Sequence, residues 1–261
     1  KEIFAVTDNF KAIVEPLGRN TAPAIGLSVY YILKNLVEKE DDPVLFVAPS
    51  DHLIQKQEEF IKAVQEAIKL AESGHIVTFG IKPEKPDTGY GYIDTINYES
   101  LSAIAKTAKK VKEFKEKPDL ETAKKYCQMG SFYWNSGMFM FKASTMLNEM
   151  KLHAGKIIDI LEVSELTENN PTIKFDDYEK MPDISIDYAV MEKLNNIALI
   201  PIDCGWNDMG SWQAIYDIAE KDERNNFISG NVIDIESENS LIYSTSKLVS
   251  TIGLKDTVII E

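Results

Sequence analysis

Short apolar runs alternating with amphipathic stretches govern the first two-thirds of this chain. Val44-Leu45-Phe46-Val47-Ala48 reads as a buried strand. Residues 60–71 then carry Phe60, Ala63, Val64, Ala67, Ile68 and Ala71 at helical spacing, with Gly74 placed to end the helix, and residues 75–81 read as a strand again. Upstream, residues 21–37 show the same helical period through Ala24, Ile25, Leu27, Ser28, Tyr31, Ile32 and Leu36. Thr21 is the expected N-cap there, and Ile13-Val14 reads as the end of a preceding strand. Strand and helix in turn at this spacing predict an α/β fold with a mixed, mostly parallel central sheet and helices on both faces.

The middle changes character. Residues 91–97, 110–117 and 132–143 read as longer extended segments, with helices over 119–129 and 144–150 and a further helix over 183–194. Asn169-Asn170-Pro171 and Asp176-Asp177 mark an exposed linker, and residues 197–202 form another apolar run. After Asn225 come Val232-Ile233-Asp234-Ile235, Leu241-Ile242-Tyr243, Leu248-Val249 and Thr257-Val258-Ile259-Ile260, split by Gly, Asn and Ser turns. Their even spacing suits the first coils of a β-solenoid. The division expected is a large domain over 1–224 and a small C-terminal β appendage over 225–261.

Charge and composition narrow the partners. A formal net charge of −14 disfavours nucleic acid and anionic membrane, so a small anion must be held by local cations, backbone N–H groups or metal. No run of 18 apolar residues is present, so no membrane partner is expected. Residues 1–5 lack the apolar core of a signal peptide, and two cysteines make no disulfide framework, so a cytoplasmic setting is expected. The sequence also lacks a starting Met, as a piece of a longer chain would.

Two acidic loops lie about 150 residues apart, each after an apolar run: Pro49-Ser50-Asp51-His52 and Trp206-Asn207-Asp208-Met209-Gly210. If Asp51 and Asp208 converge, they make a hard-oxygen site for Mg2+ beside a phosphate. Asp51 alone serves as well as a helix cap, and His52 reads as structural. In EPLGRNTAPA (residues 15–24) a helix N-terminus offers N–H groups to an anion and Arg19 a forked cation for phosphate. Glu15 offers a carboxylate that matches the adjacent N–H donors of a guanine edge. An ordinary capped helix with surface charges fits the same residues. Around residues 85–92, Gly89 and Gly91 let the backbone approach a ligand while Tyr90 and Tyr92 wall a sugar ring, although a plain turn also explains the glycines. Glu116 and Lys117 pair a hydroxyl acceptor with a phosphate-holding cation, or lie on a surface strand of alternating charge. Asn135-Ser136-Gly137 breaks an aromatic run, forcing polar groups into a buried strand where a polyhydroxylated ligand would satisfy them. There is no zinc spacing, nucleophile elbow or phosphate-binding P-loop.

Together these motifs resemble the sugar-phosphate nucleotidylyltransferases, and among them the bacterial mannose-1-phosphate guanylyltransferases (GDP-mannose pyrophosphorylases). The resemblance covers nearly the whole chain: EPLGRNTAPA (15–24), VAPSDHLI (47–54), residues 78–93 ending in TGYGYI, VKEFKEKP (111–118), YWNSGMF (133–139), SIDYAVME (185–192) and GWNDMGSW (205–212). It implies a Rossmann-like fold of the nucleotide-diphospho-sugar transferase type. It implies Asp51 and Asp208 as Mg2+ ligands, Glu116 and Asn135 on mannose hydroxyls, Gly91 at the ring and Lys117 near the sugar phosphate. Glu15, Arg19, Asn20 and Thr21 would hold the guanine and ribose of GTP, with Ser50 and Tyr90 as further substrate contacts. The family's opening Gly-rich, Arg-containing loop and Pro-Lys-Gln segment have no counterpart in this sequence, nor does the isomerase domain fused downstream in some relatives.

The implied reaction joins GTP and mannose 1-phosphate to give GDP-mannose and pyrophosphate, with Asp51, Lys117 and Asp208 as the catalytic groups. A β appendage of this kind commonly supports a homodimer. Two other readings fit: a catalytically silent nucleotide-sugar sensor, and the same chemistry on another sugar 1-phosphate or nucleoside triphosphate.

Overall fold

The computed structural model describes residues 11–38, 40–167 and 172–261. The chain divides into two compact units, one of residues up to Pro49 with Lys56–Cys204, the other of Ser50–Gln55 with Gly205–Glu261. In the larger unit α1 (Thr21–Asn35) leads to β1 (Val44–Val47); after β2 (Leu53–Ile54), which belongs to the smaller unit, come α2 (Gln57–Glu72), β3 (Ile76–Ile81), β4 (Tyr92–Asn97) and α3 (Glu99–Ile104). Then follow β5 (Lys109–Lys115), α4 (Leu120–Met129), β6 (Phe132–Lys142), α5 (Ala143–His153), α6 (Gly155–Val163), α7 (Phe175–Tyr178), α8 (Ile186–Ala189), a 3-10 turn at Met191–Lys193 and β7 (Ile197–Ile202).

Six strands form the central sheet in the order β1-β6-β3-β7-β5-β4, with β4 also paired to β6. The α/β class is as the periodicity predicted, but mostly parallel pairing is not what forms. Among the described residues only β3 and β7 pair in parallel within this sheet, Ile76 opposite Ile197 through Ile81 opposite Ile202. β6 runs antiparallel to β1, β3 and β4, and β5 antiparallel to β4 and β7. The reason is insertion: β6 enters between β1 and β3, and an apolar run carries no sign of its direction.

Helices cover both faces. Ile76 packs in the core with Phe139, Phe141, Met146 and Ile157, alongside α1, α5 and α6. Phe79, three residues on in the same strand, meets Phe60 of α2, ring centroids 6.2 Å apart, and Phe46 of β1 at 5.8 Å. Strands buried on both sides read as continuous apolar runs, which is why β3 and β7 were visible without alternation. In α2 the small Ala63, Ala67 and Ala71 are buried and let the helix lie close to the sheet, while Glu58 and Glu59 in its first turn and Lys69 in its last complement the helix dipole. Asp119 caps α4 by accepting from the Thr122 N–H at 2.9 Å.

Several local expectations are corrected. Ile13-Val14 forms no strand: Val14 is 60% exposed, and no strand pairs with it among the described residues. The cap of α1 is Asn20, whose Oδ1 accepts from the Thr21 N–H at 2.9 Å; Thr21 is the first helical residue. The helix read over 183–194 breaks into α8 and the 3-10 turn, with Val190 non-helical at φ −131° between them. Lys193 Nζ caps the end of α8 by donating to the Ala189 carbonyl at 2.9 Å. Asp176 and Asp177 lie in the first turn of α7 and not in a linker. Asn169-Asn170-Pro171 and residues 1–5 lie outside the described residues.

In the smaller unit β2 pairs antiparallel with β8 (Trp206–Asn207), followed by α9 (Trp212–Ile218). Then come β9 (Phe227–Ser229), β10 (Val232–Ile235), β11 (Leu241–Tyr243), β12 (Val249–Ile252) and β13 (Val258–Ile260). β11 pairs in parallel with both β9 and β13, and β10 in parallel with β12, which is the stacking of solenoid coils. Buried Asn226 links successive turns, donating to the Ser237 carbonyl at 2.8 Å and accepting from the Ser240 N–H at 3.0 Å. At Gly230, φ +92°, a Cβ would fall 1.9 Å from the Ser244 carbonyl oxygen, so only glycine lets these coils approach. Among the described residues no helix is long and apolar enough to cross a membrane.

Candidate active site

The larger unit gathers polar groups at the carboxyl end of β3, where Asn135 of β6 lies opposite Gly80. That end of an α/β sheet is where ligands bind. A cavity of about 360 Å3 at the other end, lined by Gly74, Ile76, His153 and Lys193 among others, is remote from this cluster. Asn135 is locked in place: its backbone N–H donates to the Gly91 carbonyl at 2.8 Å, its Oδ1 accepts from the Gly137 N–H at 3.1 Å, and its Nδ2 donates to Asp187 Oδ1 at 2.8 Å.

Glu116 comes from the loop after β5 and lies over Gly91. A Cβ on Gly91 would sit 2.4 Å from Glu116 Oε2, so the glycine creates the space that the carboxylate fills. Lys117, in the left-handed region at φ +47°, holds its ammonium 3.7 Å from Glu116 Oε1. Burial, and then the charge of Asp187, hold the Glu116 carboxyl above its usual range, with Lys117 opposing. Burial likewise raises Asp187, against the Asn135 hydrogen bond. Glu192 is raised by burial and by Asp187. Two carboxylates and an amide thus face each other beside a lysine. Sugar hydroxyls suit such a site, because each is a donor that stabilises a crowded carboxylate.

Tyr90 stands beside this cluster in sequence, its ring 4.9 Å from that of Trp134. Tyr92 is not available to wall a sugar: it is fully buried, and its hydroxyl donates to the Asp87 carbonyl at 2.9 Å. Asp187 is the residue that sequence reading passed over. It lies inside SIDYAVME, but a helix drawn across 183–194 gave no reason to place its side chain opposite Asn135.

The loop before α1 differs from expectation. Its helix N-terminus is no ready anion site: the Thr21 N–H is taken by Asn20, the Ala22 N–H by the Ile184 carbonyl at 3.1 Å, and Pro23 has no N–H. Arg19 turns its guanidinium to the Glu179 carbonyl, leaving a buried Nε without a partner. Thr21 Oγ1 accepts from the Ile186 N–H at 2.8 Å, and Glu15 accepts from the Tyr178 hydroxyl. Residues 15–22 are therefore stitched to 178–186.

In the smaller unit the β2–β8 ladder pairs Leu53 with Asn207 and Ile54 with Trp206. Asp51 precedes one strand and Asp208 follows the other, so both carboxylates emerge at the same end of this short ladder, with exposed Ser50 just before Asp51. Met209 is left-handed at φ +55°, and the Asn207 and Asp208 side chains accept from the N–H groups of Met209 and Gly210 at 2.8 and 3.1 Å. His52 packs structurally, its Nδ1 3.1 Å from Trp206 Nε1. Among the described residues no group of three or more His, Cys, Asp or Glu forms a metal cage. A pair of carboxylates fits Mg2+, which takes one or two of them and completes its shell with water and substrate phosphate.

A model of the MannoseP isomerase/GMP-like β-helix domain matches residues 230–261. The chain is 41% identical over 265 residues to a mannose-1-phosphate guanylyltransferase of Salmonella typhimurium, covering 100% of this chain and 53% of that protein. To that of Escherichia coli it is 39% identical over 266 residues, covering 100% and 54%. The chain thus spans about half the length of the curated relatives it matches. The crystal structure of mannose-1-phosphate geranyltransferase from Thermus thermophilus superposes with a TM-score of 0.82 at 29% identity, covering 97% of this chain and 72% of that one. A model of the nucleotidyl transferases matches residues 3–225, and the chain belongs to the nucleotidyl transferase family.

Proposed function

We propose that this protein transfers a guanylyl group from GTP to mannose 1-phosphate, releasing pyrophosphate and forming GDP-mannose. The observation that carries this reading is the Asn135–Asp187 pair beside Glu116, whose carboxylate lies over Gly91. The sugar's ring lies against Gly91, and its hydroxyls donate to Glu116 and are fixed by Asn135. Lys117 holds the sugar phosphate in register. That phosphate is already anionic, so it attacks the α-phosphorus of GTP without a general base; alignment and charge neutralisation are what the protein supplies. Asp51 and Asp208 are the residues assigned to hold Mg2+. When bound, that ion would supply positive charge to the phosphate oxygens. The loop of Glu15, Asn20 and Thr21 takes the base and ribose.

The full-length protein, incubated with GTP, mannose 1-phosphate and Mg2+, releases pyrophosphate. Asp208→Ala lowers the rate by about 10²–10³-fold, in the range for losing one electrostatic group of a transition-state clamp. Unchanged release in that variant rejects the metal assignment. Tight GDP-mannose binding with no release at all would favour a silent sensor.

A further inference from the structure

Tyr178 is fully buried in the core of the larger unit, and its hydroxyl donates to Glu15 Oε1. A buried tyrosine hydroxyl needs a partner, and this one takes its partner from a carboxylate on a half-exposed loop. The terminal torsion of a glutamate is broad, so an unanchored carboxylate samples many planes. One donor from a rigid residue anchors one oxygen and narrows the range of planes open to the other. The donor is dependable, because burial and Glu15 together drive the tyrosine hydroxyl far above its ordinary value and keep its proton on. Arg19, whose guanidinium reaches the carbonyl of the next residue, Glu179, ties the same two segments together a second time.

We propose that Tyr178 is a positioning residue for base selection: it orients Glu15 so that the carboxylate accepts from the N1–H and exocyclic amine of guanine and rejects adenine. This rests on the assignment of the Glu15 loop to the base. Adenine presents a lone pair at N1 where guanine presents a proton. A carboxylate held in the guanine orientation therefore faces an acceptor when ATP binds, and the mismatch costs affinity.

The test measures pyrophosphate release by the full-length protein with GTP and with ATP at saturating mannose 1-phosphate, for the parent, Tyr178→Phe and Glu15→Ala. Tyr178→Phe is expected to raise KM for GTP about tenfold, the loss of one hydrogen bond to a charged group, and to narrow the GTP-over-ATP preference by a similar factor. KM for mannose 1-phosphate stays within about twofold, which a general loosening of the fold would not allow. If Glu15→Ala narrows the preference and Tyr178→Phe does not, the positioning role is overturned. If neither narrows it, the base assignment of Glu15 falls, and the positioning role with it. Should Tyr178→Phe not fold, 4-fluorophenylalanine at 178 fills nearly the volume of the hydroxyl without donating, and an unchanged preference there also overturns the proposal.

Discussion

Asn135 Nδ2 lies 2.8 Å from Asp187 Oδ1, so an amide on a central strand holds a carboxylate on a one-turn helix 52 residues further along the chain. The bond leaves Asp187 buried, held above its usual range by that burial, and its charge in turn disfavours the ionisation of Glu116. Such a pair lowers the stability of the empty site in exchange for readiness to accept hydroxyl donors.

Asp187→Asn keeps an acceptor for Asn135 and removes the charge. An acid whose folded value is raised adds stability below its unfolded value, near 3.8, and loses it as pH rises through the folded value. The variant should therefore melt a few degrees higher than the parent at pH 7, with the difference vanishing in acid. Its KM for mannose 1-phosphate should rise about tenfold. Thermal unfolding against pH, paired with steady-state kinetics, checks both.

Gly91→Ala places a methyl group 2.4 Å from Glu116 Oε2. Glu116 must swing away. Overpacking of this kind costs about 1–3 kcal/mol, read as a lowered urea midpoint, and sugar-phosphate affinity falls while KM for GTP holds.

Phe79→Ala empties the contact between β3 and α2, where Phe60 and Phe46 meet the ring. A loss of about 3–5 kcal/mol is expected for a fully buried phenylalanine. A urea melt with an unchanged slope would attribute the loss to packing alone.

Glu261 accepts from the Ser246 and Lys247 N–H groups at 3.0 and 2.9 Å. These bonds hold its carboxyl down to about 2, so its contribution is present above 4.5 and is lost as pH falls through about 2. In Glu261→Gln the amide protons of Ser246 and Lys247 should exchange faster at neutral pH. Equal exchange rates in parent and variant would reject the role.

The order of elements was legible because β3 and β7, buried on both faces, are almost continuously apolar, Thr78 apart, and because α2 keeps a clean helical period. Strand direction was not, since nothing in Phe132–Lys142 says that it runs against its neighbours. The candidate site was half legible. Asn135 stood out as polar in an aromatic run, and Glu116 with Lys117 at a strand end. Asp187 stayed hidden because its position depends on where a helix breaks, and that break is set by Lys193 and Val190 in three dimensions. Glu15 was singled out as an acceptor for a guanine edge, but the donor the structure gives it, Tyr178, lies 163 residues away, beyond the reach of any local pattern.

The parallel pairing of β3 with β7 joins Ile76 to Ile197 and so spans most of the larger unit. On a ribosome, β3 emerges long before its partner exists, and one of its edges stays open until residue 202 has cleared the exit tunnel. A nascent chain stalled in between exposes a β-rich apolar ribbon, which makes synthesis rate across residues 82–196, and chaperone supply during it, the determinants of soluble yield.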